Sequence, residues 1–119
     1  MIQEDYVSFE TAKLLKEKGF DELTELSYEL STGCPKKVPC RNTLDTEYVS
    51  KITLQMAMKW LREVHYLWID IEPLTGNKWT WCNWLMNDPT QKMGESLQII
   101  SNYNEACEAA IKYCLENLI

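Results

Sequence analysis

The chain has 119 residues, 45% of them hydrophobic and 25% charged, a composition that fits one folded domain and excludes disorder along most of the length. A net charge of −6 repels phosphate and puts non-specific nucleic-acid binding at a disadvantage. No apolar run approaches the ~20 residues of a membrane span, and Met1-Ile2-Gln3-Glu4-Asp5 has neither the basic nor the apolar region of a secretion signal, so the expectation is a cytoplasmic protein with no membrane partner.

Residues 8–18 read as a first helix. Ser8 suits the N-cap, Phe9, Ala12, Leu14 and Leu15 form an apolar stripe, and Gly19-Phe20 matches a left-handed stop in which Phe20 packs back on Leu15. Between 21 and 52 the pattern is weak. Leu26, Tyr28 and Leu30 alternate as a short strand, Ser31 to Pro35 is turn chemistry, and Thr46 to Ser50 suggests a second edge strand.

Residues 54–65 read as a second helix, with Leu54, Ala57, Met58, Leu61 and Val64 at helical spacing and Met56 and Trp60 widening the stripe. Residues 67–72 alternate as a half-buried strand, Pro73 to Asn77 reads as a hairpin turn, and 78–86 as the returning strand. Asn87-Asp88-Pro89 is expected to break it, and a third strand is expected at Leu97 to Ser101. Residues 103–118 read as a last helix opened by the capping pair Asn102 and Glu105. Its stripe is Ala106, Cys107, Ala110, Ile111, Cys114, Leu115 and Leu118. The expected fold class is α+β: a small antiparallel sheet of three or more strands, with about three helices packed mainly on one face, in a single domain over residues 1–119.

Chemistry-bearing motifs are sparse. Five cysteines, an odd number, in a chain read as cytoplasmic are expected as free thiols. Cys34 and Cys40 are too far apart for the usual paired zinc ligands, so neither a metal nor a cofactor is expected. The single histidine, His65, ends a helix, where it caps carbonyls and meets the dipole favourably. Asp70 and Glu72 share a strand face, as acid–base pairs do, although exposed strands carry such charges for solubility. No catalytic residue and no enzyme activity are expected. The order of helices and strands is also that of double-stranded-RNA-binding folds, but the last helix offers only Lys112 against Glu105, Glu108 and Glu116.

The tryptophans are the most informative feature. A hairpin loop of two or four residues centred on Gly76 sets Ile69 opposite Trp84 and Ile71 opposite Cys82. The core face is then Leu67, Ile69, Ile71, Cys82, Trp84 and Met86. The other face carries Trp68, Trp79 and Trp81 beside Asp70, Glu72 and Asn83. Such a face is either a contact surface, made of Trp68, Asp70, Glu72, Trp79 and Trp81, or a second core covered by a helix or by residues 21–52.

Three segments carry a resemblance: Tyr6 to Phe20 (YVSFETAKLLKEKGF), Thr53 to His65 (TLQMAMKWLREVH) and Tyr103 to Ile119 (YNEACEAAIKYCLENLI). Together they cover a little under half of the chain and resemble a group of short uncharacterised proteins of gut Bacteroides-like bacteria and their phages or mobile elements. The resemblance implies a stand-alone cytoplasmic protein of mobile-element origin and brings no activity, cofactor or catalytic residue with it. The expected function is an acidic intracellular module that binds a protein partner or forms a homo-oligomer. The alternative is a nucleic-acid-associated regulator from a mobile element, favoured only by a contiguous basic patch around Lys36, Lys37 and Arg41. A small enzyme ranks third.

Overall fold

Three helices and two three-stranded antiparallel sheets form the α+β architecture of the computed structural model, which describes residues 3–119, the side chain of Pro89 excepted. The chain, expected as one domain, divides by its internal contacts into two units, Met1–Thr53 and Leu54–Ile119.

In the first unit, helix α1 (Phe9–Glu17) begins where the Ser8 hydroxyl accepts the Thr11 N–H at 3.2 Å. It ends in a Schellman motif. The Phe20 N–H donates to the Leu15 carbonyl at 2.9 Å, the Gly19 N–H donates to Lys16 at 3.2 Å, and Gly19 takes φ 101°, which a side chain resists. The buried Leu15 and Phe20 close that end.

Strands β1 (Ser27–Glu29), β2 (Pro35–Lys36) and β3 (Tyr48–Ser50) form a sheet in the order β2-β1-β3. The two short strands expected in this region are found, trimmed to three residues each, and paired with one another. Much of the segment is held by polar side chains instead of apolar periodicity. The buried Asn42 donates to the Phe20 carbonyl at 2.8 Å and accepts the Ser50 N–H at 3.0 Å. Asp21 accepts the Thr43 N–H at 3.0 Å and the Thr43 hydroxyl at 2.8 Å, and pairs with Arg41 at 3.3 Å. These donors, the Thr43 N–H foremost, hold the Asp21 carboxyl below its ordinary 3.8.

The second unit contains α2 (Leu54–His65), β4 (Leu67–Leu74), β5 (Lys78–Leu85), β6 (Asp88–Glu95) and α3 (Tyr103–Asn117). The strand order is β4-β5-β6. Leu54, Ala57 and Leu61 of α2 are buried, while Met56 and Val64 are exposed, so its buried stripe is narrower than the sequence suggests. Asn102 caps α3 by accepting the N–H groups of Asn104 and Glu105 at 2.8 and 3.1 Å. The expected α3 stripe from Ala106 to Leu115 is buried. Its small residues let the sheet approach. Trp81, Ala106 and Ala110 form a core joined by Ile69, Ile71, Trp79, Ile100 and Tyr113.

Two strand expectations are corrected. Asn87-Asp88-Pro89 does not end the sheet. Leu85 pairs with Asp88 across a two-residue turn, and β6 follows at once. Pro89 is tolerated because β6 is an edge strand. In place of a strand from Leu97 to Ser101 there is one isolated bridge, Trp79 to Ile100.

A third correction concerns parity. Leu74 pairs with Lys78, leaving the three-residue loop Thr75-Gly76-Asn77 with Gly76 at φ 79° and Asn77 at φ 57°. An odd loop shifts every cross-strand partner by one and inverts which face each β5 side chain takes. Ile71 therefore pairs with Trp81 and Ile69 with Asn83. The inner face is Leu67, Ile69 and Ile71 with Trp79, Trp81 and Asn83, and Cys82 and Trp84 belong to the opposite face.

Candidate interaction surface

The face of the β4-β5-β6 sheet turned away from α3 gathers three of the five expected contact residues: Trp68, Asp70 and Glu72. Trp79 and Trp81 point the other way. The Trp81 ring lies 5.2 Å from that of Tyr113 and is 7% exposed, and Trp79 stands edge-on to Tyr103 at 5.0 Å. They are core residues beneath α3, and the five-residue face expected from the sequence is corrected accordingly.

In their place β5 contributes Cys82 and Trp84. Trp84 sits directly across from Trp68, and Cys82 across from Asp70. Trp68 is 45% exposed. Each ring carries a cation. The Arg62 guanidinium lies 5.6 Å from the Trp68 ring centre, and the Lys92 ammonium lies 5.5 Å from that of Trp84. Lys92 also pairs with Glu95 at 3.2 Å, which raises its pKa. The face thus has aromatic rings and cations at one end and the two carboxylates beside them.

Asp70, Glu72 and Cys82 bring one carboxylate or thiol donor atom each within 4.8 Å of one another, the one such three-residue group among the described residues. The Trp84 indole N–H donates to the Cys82 sulfur at 3.2 Å. Burial pushes the Cys82 thiol up, and Asp70 and Glu72 push it further, against the opposing pull of the indole and Lys92. A metal bound here would have to displace the thiol proton against those effects. The group sets two acidic side chains beside a thiol whose surroundings favour its protonated form.

The other residues weighed for chemistry sit as follows. Cys34 is exposed, and Cys40 is buried with its sulfur 4.0 Å from the Asn42 side-chain oxygen Oδ1. The His65 ring stands edge-on to Trp60 at 4.7 Å, and its Nε2 has no hydrogen-bond partner among the described residues. Burial lowers the His65 pKa from 6.5. Of the basic cluster, Lys36 and Lys37 are exposed, while Arg41 is tied to Asp21.

Sequence reasoning missed Trp84, Cys82, Arg62 and Lys92 as members of this face. The signal that places the first two is the Gly76-Asn77 pair, since glycine and asparagine both tolerate positive φ and can close a three-residue loop. No helix among the described residues is long and apolar enough to cross a membrane. No family model, curated protein or solved structure matches the chain.

Proposed function

We propose that the chain is a small acidic cytoplasmic interaction module that binds a protein partner, or a second copy of itself, through the sheet face bearing Trp68, Asp70 and Glu72. The observation that carries this reading is Trp68, a large indole 45% exposed beside two carboxylates on a rigid strand. Tryptophan and arginine are the residue types that most often anchor interfaces, because a broad apolar surface comes with one or a few polar donors. Asp70 and Glu72 select a partner offering basic residues, and a second copy would have to present Lys78. The pairing of Arg41 with Asp21 leaves the 36–41 segment a weak phosphate site, which favours a protein partner over nucleic acid. The resemblance adds a mobile-element origin to the proposal and leaves the partner class unchanged.

Light scattering after size-exclusion chromatography at micromolar concentration tests self-association, and affinity capture tests partner binding. Trp68→Ser and Asp70→Lys should each reduce the complex while lowering the melt by no more than a few degrees. A monomeric wild type, with no captured protein whose recovery depends on Trp68, would refute the proposal.

A further inference from the structure

The hydrogen bonds of β5 decide which backbone groups of β4 are free. The Trp79 N–H donates to the Ile100 carbonyl at 2.7 Å, and its carbonyl accepts the Ile100 N–H at 2.9 Å. The Trp81 N–H donates to the Ser96 hydroxyl at 3.2 Å, and its carbonyl accepts the Ser96 N–H at 2.9 Å. Both tryptophans therefore direct their backbone groups away from β4. In an antiparallel ladder the N–H and C=O of one residue point to the same side, so the opposed residues Pro73 and Ile71 form non-hydrogen-bonded pairs. Their backbone groups face outward from the sheet, and alternation gives Ile69 the same direction. Among the described residues nothing takes the outward N–H and C=O of Ile69 and Ile71.

That edge is held in place by packing. The side chains of Ile69 and Ile71 pack into the core under α3, which fixes the backbone between them. Natural edge strands are usually blunted by prolines, lysines or shortness. The opposite edge, β6, carries Pro89 near its start and Lys92 at its middle. On β4 the proline comes only at Pro73, so the stretch holding Ile69 and Ile71 carries neither proline nor lysine. A cleft of about 180 Å³ runs beside this stretch, walled by Gln55, Met58 and Arg62 of α2 and by Tyr103. Arg62 makes no ion pair among the described residues.

We infer that the cleft beside β4 is a docking site for an extended segment of a partner protein, which adds to the β4-β5-β6 sheet as a fourth strand and turns an acidic side chain toward Arg62. The inference rests on the interaction reading above and names the partner's chemistry. The alternating outward N–H and C=O groups recognise an extended backbone, and the cleft wall takes its alternate apolar side chains. The arginine supplies the charge complementarity. A second copy pairing β4 with β4 would bring Asp70 and Glu72 of both chains together on one face, so the occupant is a distinct strand.

The test pans a displayed library of short random peptides on the full chain and resynthesises the enriched peptides with N-methyl groups at one or the other set of alternate residues. Enrichment of peptides alternating in apolar residues and carrying an Asp or Glu is expected. The Ile69 and Ile71 amides should exchange freely in the unbound protein and become protected when peptide binds. N-methylation of the set facing β4 should weaken binding about tenfold, and methylation of the other set should not. Arg62→Gln should weaken acidic peptides and spare their amide analogues. The inference is overturned if no peptide is enriched, if Ile69 and Ile71 are already protected in the free monomer, or if both methylated sets bind equally. Protection that rises with protein concentration alone would assign the edge to a second copy and also overturn it. If Trp68-dependent capture survives while these amides never become protected, strand addition fails and the interaction reading stands. If neither is seen, both fall.

Discussion

Trp81→Ala and Trp68→Ala, made side by side, test the parity of the hairpin. Trp81 is 7% exposed, packs on Ala106 and Ala110 and lies 5.2 Å from the Tyr113 ring. Removing its indole empties the centre of the second unit's core, and buried tryptophan truncations cost about 3–5 kcal/mol. Trp68 is 45% exposed, so only about half of a large apolar side chain's ~1.5–3 kcal/mol is at stake, roughly 1 kcal/mol. For a chain of this size each kcal/mol moves the melting temperature by roughly 3–6 °C. Trp81→Ala should therefore lower it by about 10–30 °C and Trp68→Ala by only a few degrees. Urea midpoints followed by far-ultraviolet circular dichroism are the right assay, because with five tryptophans the fluorescence baseline changes with each substitution. A loss below about 1 kcal/mol for Trp81→Ala, or a larger loss for Trp68→Ala than for Trp81→Ala, would refute the three-residue loop and the register built on it.

Leu61→Ala and Ile111→Ala, both at fully buried positions, should each cost about 2–5 kcal/mol in denaturant curves, and less than about 0.5 kcal/mol for either would mean the helix faces are misplaced. A side chain on Gly94 would overlap the Tyr113 ring, so Gly94→Ala should destabilise by about 1–3 kcal/mol and be partly rescued by Tyr113→Leu, a coupling that a double-mutant cycle reads directly. Cys114 is pushed up by burial from 9.0 to about 12, which favours its neutral form in the folded state. Its contribution is therefore full below about pH 9 and is lost as pH rises towards about 12, at ~1.4 kcal/mol per unit. Cys114→Ala should flatten that alkaline decline in a stability-against-pH series, and an unchanged slope would contradict the assignment. Of the five thiols only the exposed Cys34 should react fast with an aromatic disulfide reagent in the native state, and reductant should leave the melt unchanged.

The helices and the hairpin strands were legible because each announces itself locally. Ser8 and Asn102 are cap residues at the right offsets, Gly19 stops α1, and Leu67, Ile69 and Ile71 alternate cleanly. What failed was whatever depends on counting across a gap. The period of a strand says which residues share a face, but the partner's face is set by loop length, and Gly76 fits loops of two, three or four residues. That one ambiguity moved Trp79 and Trp81 from a surface to a core and brought Cys82 and Trp84 the other way. Strand β6 was hidden for a different reason. An edge strand needs no apolar alternation, and Asp88-Pro89-Thr90-Gln91 reads as a loop by composition. In the 21–52 region the organising groups are Asn42 and Asp21, whose bonds to Phe20, Ser50 and Thr43 span up to 22 residues. No local pattern encodes such bonds.

The loop at Thr75-Gly76-Asn77 gives the hairpin something like a reading frame. Surface loops usually absorb insertions and deletions with little consequence. Here one residue more or fewer would re-pair all of β5 and exchange its two rows of side chains. Trp79, Trp81 and the buried Asn83 would emerge into solvent, and Lys78, Thr80 and Cys82 would be driven beneath α3. A substitution at Thr75 is therefore cheap, one at Gly76 is strained by its φ of 79°, and a change in the loop's length costs most. Relatives of this protein that share its β4 and β5 should vary freely in the identity of Thr75 while keeping the count at three.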